Sequence, residues 1–362
     1  MKKKVIMFMP SIEGGGVEKN FFIVANFLTK FRAVSVVTIS KKYKGLFLRK
    51  IKFITLKSDT WDKFSRRIKY FLALFLLIKE IINDRNVIVF SFQANIYAIF
   101  ICKIFAIKII ARSNSAPFGW SQNFLKKIMF KFFLNISDKV MVNSFEFKKD
   151  LKKYFNVNSI CIYNPLNQDE IKKKSKIKVK KIFKKRFLKI LNIGRFTDQK
   201  DQITLLKALN ILKKKIKFEA VIMGKGILKN ELKNFIIKNN LSKNIKLKEF
   251  TKNPYPIINQ ADVFILSSSY EGLPNVLLES LVLKKFIISS NCRTGPKEIL
   301  LNGQGGLLFK VGDYKKLSDL IIFFHLNKKK CKNMLRKSIN ALDRFDYNNN
   351  LKKYAKLIDS IS

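Results

Sequence analysis

Short β-branched runs alternate with longer stretches of helical periodicity along almost the whole chain, and this alternation narrows the possible folds more than any other feature. Strand-like runs at residues 5–9, 34–39, 87–91, 107–112, 139–144 and 159–165 are interleaved with helical patterns at 17–29, 68–82 and 96–105. The pattern restarts with strands at 188–194, 218–226, 244–250, 262–268, 286–290 and 305–310, and with helices at 203–214, 230–240 and from Pro274 onward. Parallel strands need a crossover of helical length between them, so this grammar predicts parallel sheets with helices on both faces. The chain has 362 residues, beyond the size at which a single core keeps growing. The expectation is an α/β protein of two doubly wound, Rossmann-like domains in tandem. Ligands sit at the carboxyl ends of strands in such sheets, which predicts a site in a central cleft that the two domains face.

The domain plan follows from a change in composition. Residues 172–189, "KKKSKIKVKKIFKKRFLK", hold 11 basic and no acidic residues. Like charges repel, so the run is expected to stay solvated as a linker. This gives a first domain over 1–168, a basic linker over 169–187, a second domain over 188–335, and a helical tail over 336–362 that returns to the first domain.

Charge and residue usage exclude several function classes. With 73 Lys+Arg against 25 Asp+Glu the formal net charge is +48, a field that favours nucleic acid, an anionic membrane face or phosphate-bearing substrates. A chain rich in Lys, Ile, Asn and Phe is also what an AT-rich genome would write. The four cysteines form no C-x-x-C pair, which suits a reducing compartment and offers no zinc site. His325 is the only histidine and falls in a helical stretch late in the chain, which leaves no multi-His metal centre and speaks against a Ser-His-Asp triad; no metal or cofactor is expected. The apolar run after Met1 stops at Pro10 and Glu13, too short for an export signal. A location in the cytoplasm, with the protein peripheral at the inner face of the cell membrane, follows as the expectation.

In a chain this short of acid, "SSSYEGLPNVLLES" at 267–280 places Glu271 and Glu279 eight positions apart around a Gly, a Pro and an Asn. Pro274 suits the first turn of a helix. The amides of Asn275, Val276 and Leu277 would then form an anion-binding helix start. Glu279 lies one turn in, placed to accept from a sugar hydroxyl. "GRFTDQK" adds Arg195 and Lys200 after the first strand of the second domain, where two cations clamp a diphosphate. Gly224 and Gly226 end the next strand, and Gly14, Gly15 and Gly16 open the first helix of the chain. Both glycine groups allow close approach of backbone to a ligand.

With these residues in view, the chain resembles the GT-B glycosyltransferases of family 4, retaining enzymes with a glycosyl-transferases-group-1 second domain. The resemblance rests on "GGGVE", "NIGRFTDQKDQITLLKAL", "AVIMGKG", "ADVFILSSSYEGLPNVLLESL" and "TGPKEIL…GGLLF". It implies that Arg195 and Lys200 bind the donor diphosphate, Glu279 the nucleotide ribose, Glu271 the transferred sugar, and the Asn275 and Val276 amides its phosphate or hydroxyls. It further implies that Gly15 and Gly16 close over the diphosphate and that Gly224 and Gly226 belong to the donor side. Glu18, Arg112, Ser113 and Asn114 fall on the acceptor side. Many relatives carry a histidine near the transferred sugar where this chain has "ARSNSAPFGW", so this chain must do without it.

The expected reaction moves a hexose or N-acetylhexosamine from a nucleotide-diphosphate sugar, UDP-linked, to a saccharide acceptor. Residues 123–135, "NFLKKIMFKFFLN", interleave apolar and basic residues in the manner of an interfacial helix. They point to an anionic membrane surface as a partner and to a lipid-linked saccharide acceptor of surface-polysaccharide or glycan assembly. The competing readings are a nucleic-acid binder, with residues 172–189 and their Phe183 and Phe187 as a stacking strip, and a nucleotide-sugar epimerase of the same fold. The first leaves Glu271, Glu279 and the glycine loops idle, so no nucleic-acid partner is expected.

Overall fold

The computed structural model describes residues 3–58, 60–61, 64–114, 124–184 and 187–362. They form two compact units, Met1–Pro165 with Tyr347–Ser362, and Leu166–Asp346. The first contains β1 (Lys4–Phe8), α1 (Gly16–Leu28), β2 (Val34–Val37), β3 (Lys52–Ile54), α2 (Arg66–Asn83) and β4 (Val87–Ser91). It continues through α3 (Asn95–Ile104), β5 (Lys108–Arg112), α4 (Phe124–Ile136), β6 (Lys139–Val142), α5 (Phe145–Phe155) and β7 (Ile160–Cys161). Its sheet has the order β3-β2-β1-β4-β5-β6-β7, and every pairing is parallel. β4 is buried at all five positions, which is why the central strands read as continuous apolar runs rather than alternating ones.

The second unit begins with α6 (Gln168–Ser175), β8 (Leu188–Ile193), α7 (Gln202–Leu212), β9 (Phe218–Met223), α8 (Lys229–Lys238), β10 (Ile245–Lys248) and α9 (Tyr255–Gln260). Then come β11 (Val263–Leu266), α10 (Asn275–Val282), β12 (Phe286–Ser290), α11 (Pro296–Ile299), β13 (Leu307–Phe309), α12 (Tyr314–Leu326) and α13 (Lys328–Asn340). Its parallel sheet runs β10-β9-β8-β11-β12-β13. α14 (Tyr347–Asp359) joins the first unit, where Leu351, Tyr354, Leu357 and Ile358 enter the core with Phe90 and Ile162. Arg32 and Asp359 form an ion pair there. No described helix is long and apolar enough to cross a membrane.

Four expectations are corrected. The basic run is not a free linker. Its start is α6, whose Ile171 is buried, while the Ile182 and Lys184 amides donate to Gln260 Oε1 and Glu219 Oε2 at 2.9 and 2.7 Å. Phe183 is 5% exposed, so it is no stacking platform. Lysine stems reach water while the few apolar residues between them bury, which lets a charged run order on a surface; Lys185 and Arg186 lie outside the described residues. The units divide at Pro165 and again after Asp346, because α6 and α13 both belong to the second unit. The strand expected over 159–165 shrinks to Ile160–Cys161 at the sheet edge, and β3 appears in a stretch too charged to read as a strand.

Both sheets reverse their strand order once, between β1 and β4 and between β8 and β11. Crossovers leave in opposite directions at these points, so the loops after the two strands part and leave a crevice.

Candidate active site

In the second unit that crevice is lined by the sequences singled out above. β8 and β11 pair only at Val263 with Ile190 and at Phe264 with Leu191. Beyond that the ladder opens, and the buried Asn192 side chain bridges the gap by donating to Ile265 O at 2.9 Å. The loop after β8 carries Arg195, then a single 3-10 turn over Asp198–Lys200. Asp201 closes it in the left-handed region at φ 43° and accepts from the Thr204 amide at 3.1 Å, capping α7. Asx residues tolerate that backbone region and favour N-caps, so the sequence "DQKD" fixes where Lys200 stands.

Lys200 Nζ is paired with Glu271 Oε1, joining residues 71 apart in sequence. Ser268 Oγ donates to the same carboxylate oxygen at 2.6 Å, and Ser267 Oγ donates to Lys200 O at 2.9 Å. Gln199 laces the two loops together: its Nε2 donates to Tyr270 O at 3.0 Å and its carbonyl accepts from the Ser269 amide at 2.8 Å. Arg195 is exposed, with Nη2 donating to Gln199 Oε1 at 3.3 Å. Thus Arg195, Lys200 and Glu271 stand together on two loops tied to each other. Glu271 is 6% exposed, and a charge this buried is tolerable because it is paired and hydrogen-bonded.

The loop then leads into α10. Pro274 is the N-cap rather than the first helical residue, and its carbonyl accepts from the Leu277 amide at 3.0 Å. The first turn is therefore tight, and of the three amides expected to hold an anion that of Leu277 is already used. Asn275 and Val276 open the helix and are half-buried. Glu279, 8% exposed, accepts at Oε1 from the Tyr255 hydroxyl of α9 at 3.1 Å, which orients its carboxylate.

A third loop clamps this one from β12. Thr294 donates its hydroxyl to Glu271 O. Its φ is 62°, a region that a β-branched residue enters only when its surroundings impose it. Gly295 follows at φ +87°, and a Cβ there would stand 2.4 Å from Gly272 O. Only glycine lets these two backbones meet. Burial, joined by the Glu271 carboxylate, pushes the neighbouring Cys292 thiol up to about 12, so it is no nucleophile at neutral pH.

At Gly224 and Gly226 the close approach within the structure is made by another stretch of backbone. A Cβ on Gly224 would come within 1.9 Å of Gly194 O, and one on Gly226 within 2.3 Å of Phe196 O. What approaches these glycines is the Arg195 loop itself, so they hold that loop in place.

The remaining candidates belong to the first unit. Gly15 caps α1, which starts at Gly16, and a Cβ on Gly15 would lie 2.8 Å from Glu18 Oε2. The Glu18 carboxylate thus covers the positive end of its own helix, a favourable place for an acid. Arg112 is corrected as an acceptor contact: it is 0% exposed. It ends β5 beneath α14, with Nη2 donating to Asn164 Oδ1 at 2.8 Å and the guanidinium 4.6 Å from the Phe92 ring centroid and 5.9 Å from that of Tyr354. Burial lowers its pKa. Ser113 is 4% exposed, its amide donating to Met141 O at 2.9 Å, and Asn114 Nδ2 donates to Phe92 O at 2.8 Å. Residues 115–123 of "ARSNSAPFGW" and its sequel, including Asn123, lie outside the described residues.

Sequence reasoning missed Ser268, Tyr255 and Thr294. Ser268 sits inside the quoted motif and was readable as a donor three residues before Glu271. Tyr255 is 24 residues from Glu279 and no spacing rule connects them.

Comparison with known proteins fits this geometry. The structure of a glycosyltransferase from Rickettsia africae aligns with a TM-score of 0.79 at 20% identity, over 99% of this chain and 98% of that one. Anabaena HepE in complex with UDP and glucose aligns with a TM-score of 0.79 at 16% identity, over 99% and 100%. The class is thereby set: two parallel α/β units of the GT-B glycosyltransferase fold. Residues 172–341 match the family model of glycosyl transferases group 1. That match lies within the second unit and spans nearly all of it, so this unit resembles a glycosyl-transferases-group-1 domain. An uncharacterized glycosyltransferase of Methanocaldococcus jannaschii is 34% identical over 185 residues, 48% of this chain and 44% of that protein. The Campylobacter jejuni GalNAc-alpha-(1->4)-GalNAc-alpha-(1->3)-diNAcBac-PP-undecaprenol alpha-1,4-N-acetyl-D-galactosaminyltransferase is 28% identical over 334 residues, 86% of this chain and 85% of that protein. The matched stretch thus spans about half the length of the first relative and most of the second.

Proposed function

We propose that this protein is a retaining glycosyltransferase that moves a hexose or N-acetylhexosamine from a UDP-sugar to a lipid-linked saccharide at the inner face of the cell membrane. The observation that carries the reading is the Lys200–Glu271 pair, with Ser268, at the switch point of a family-matched unit and beside the start of α10. UDP is bound in a neighbour of the same fold, and the Campylobacter relative is named for a polyprenyl-diphosphate-linked substrate.

In this mechanism the bond between the anomeric carbon and the phosphate oxygen breaks with its electron pair going to the phosphate. The acceptor hydroxyl forms the new bond on the same face and gives its proton to the leaving phosphate. Charge grows on that phosphate, so cations and amides aimed at it lower the barrier most. Arg195 and Lys200 supply this charge, with the Asn275 and Val276 amides, and the proposal assigns no metal. Glu271 orients the sugar, and Glu279 the ribose. On donor arrival Lys200 shares its charge between Glu271 and the diphosphate.

UDP, GDP and RNA are titrated at physiological salt, and product anomers are read by NMR with a synthetic acceptor. Saturable UDP binding and retained configuration are expected, and Lys200→Ala lowers kcat/KM by about 10²- to 10³-fold. An inverted product removes the retaining mechanism. Tight RNA binding without UDP binding removes the transferase.

A further inference from the structure

The first unit carries an apolar face that its own core leaves unused. On α2, Ile68, Phe71, Phe75 and Ile82 are between 41% and 74% exposed and follow one another at helical spacing. On α3, Tyr97, Phe100 and Ile104 do the same at 55% to 61%. On α4, Leu125, Ile128, Phe132 and Ile136 form a third stripe, and Leu134 is the one described side chain of that helix that is fully buried. α3 packs against both α2 and α4, with the Phe100 and Phe133 rings 6.3 Å apart edge-on. The opposite sides of these helices already bury Ala73, Leu77, Ala98, Ile99 and Cys102 in the core. An ordinary surface helix turns polar residues outward; these three are apolar on both sides, and contiguous exposed apolar surface marks an interaction site.

Charge decides what that site meets. Arg66, Arg67, Lys79, Lys126 and Lys131 are exposed on the same helices. The one acid within the three helices is Glu80, buried against Lys4 and Lys52. Asp138, just past α4, is paired with Lys103 and Lys108. Phenylalanines among lysines, with little opposing acid, match the boundary between headgroups and acyl chains of an anionic bilayer. A second copy of the chain fits less well, because a symmetric contact would set this basic rim against itself.

We propose that the α2–α3–α4 face is the surface by which the protein lies on an anionic phospholipid membrane. This deepens the reading above by naming the surface that meets the lipid, and it holds or fails independently of the transfer chemistry. The test is flotation with phosphatidylcholine vesicles, with and without phosphatidylglycerol. Wild-type protein is expected to float with the anionic vesicles. Combined Phe71→Ser, Phe75→Ser, Phe100→Ser and Phe132→Ser should lower the bound fraction about tenfold or more, with circular dichroism and UDP affinity unchanged. Lys126→Glu with Lys131→Glu should remove the preference for anionic lipid. The proposal is overturned if wild type floats with neither vesicle, if the phenylalanine variant floats equally well, or if those substitutions instead dissolve a dimer in sedimentation velocity. Vesicle binding without UDP binding upholds this surface and defeats the transfer reading.

Discussion

The two units share one architecture and differ in how much phenylalanine they leave on the surface. Among the described residues eight phenylalanines of the first unit are exposed, whereas in the second Phe250 alone is. Phenylalanine is also unevenly written, with 22 of the 34 in the first unit and 12 in the second, but abundance alone does not say which of them surface. Packing makes the distinction: Phe196, Phe218, Phe286 and Phe309 of the second unit belong to one core cluster, and Phe264 is fully buried. The unit that carries the candidate donor site keeps nearly all its described phenylalanines from the surface, while the first unit carries several outward on its helices.

The largest effect that would sharpen this contrast is on stability. Phe264→Ala, at a site with no exposure, is expected to destabilise the second unit by about 3–5 kcal/mol. Phe71→Ser, 74% exposed, should change the first by no more than about 0.5 kcal/mol. Urea unfolding of each variant checks both, and a large loss in the exposed variant would mean that the outer stripe belongs to the fold. A middle-sized effect separates glycines. Gly224→Ala forces a Cβ onto Gly194 O and should destabilise by about 1–3 kcal/mol. Gly45→Ala in the first unit meets nothing within 4 Å and should be silent in the same melt.

The smallest effect is a slope with pH. Burial alone would raise the Glu80 carboxyl, but hydrogen bonds from Lys4 and Lys52 outweigh it and hold the pKa below its ordinary 4.5. Asp138 is likewise lowered: burial opposes this, and Lys103, the Ile109 amide and Lys108 prevail. A folded-state pKa below the unfolded one gives stability that is full above the unfolded value and is lost as pH falls through the folded one. Both groups lie in the first unit, so acidification below about pH 4.5 should open its amides to hydrogen exchange before those of the second. Glu80→Gln should flatten that slope, and simultaneous opening of both units would break the comparison.

Much of the fold was legible because its signals are local. β4 and β12 occupy the stretches 87–91 and 286–290 that their apolar runs marked, and α7 starts within a residue of its expected place. Legibility ended where charge and order coexist, as in α6 and β3, since the pattern of lysines does not say which stems find a surface to lie on. The candidate site was legible as a set of residue types, whereas the neighbours that those residues pack against were not. Gly224 and Gly226 were recognised as sites of close approach, yet the approaching backbone is Phe196 and Gly194. Arg112 was placed toward an acceptor, yet it sits beneath a helix contributed from the far end of the chain.

Sequence by itself determined the alternation of strands and helices, the two rounds of it, and which residue types stand at the ends of the strands, because periodicity and side-chain chemistry are properties of neighbours along the chain. Only tertiary structure decided that Lys200 pairs with Glu271, that Tyr255 orients Glu279, that Thr294 is held in a strained turn against the Glu271 loop, and that three helices of one unit turn apolar stripes outward. Each of these depends on which distant segments the sheet order brings side by side, and strand order is set by the free energy of packing the whole unit.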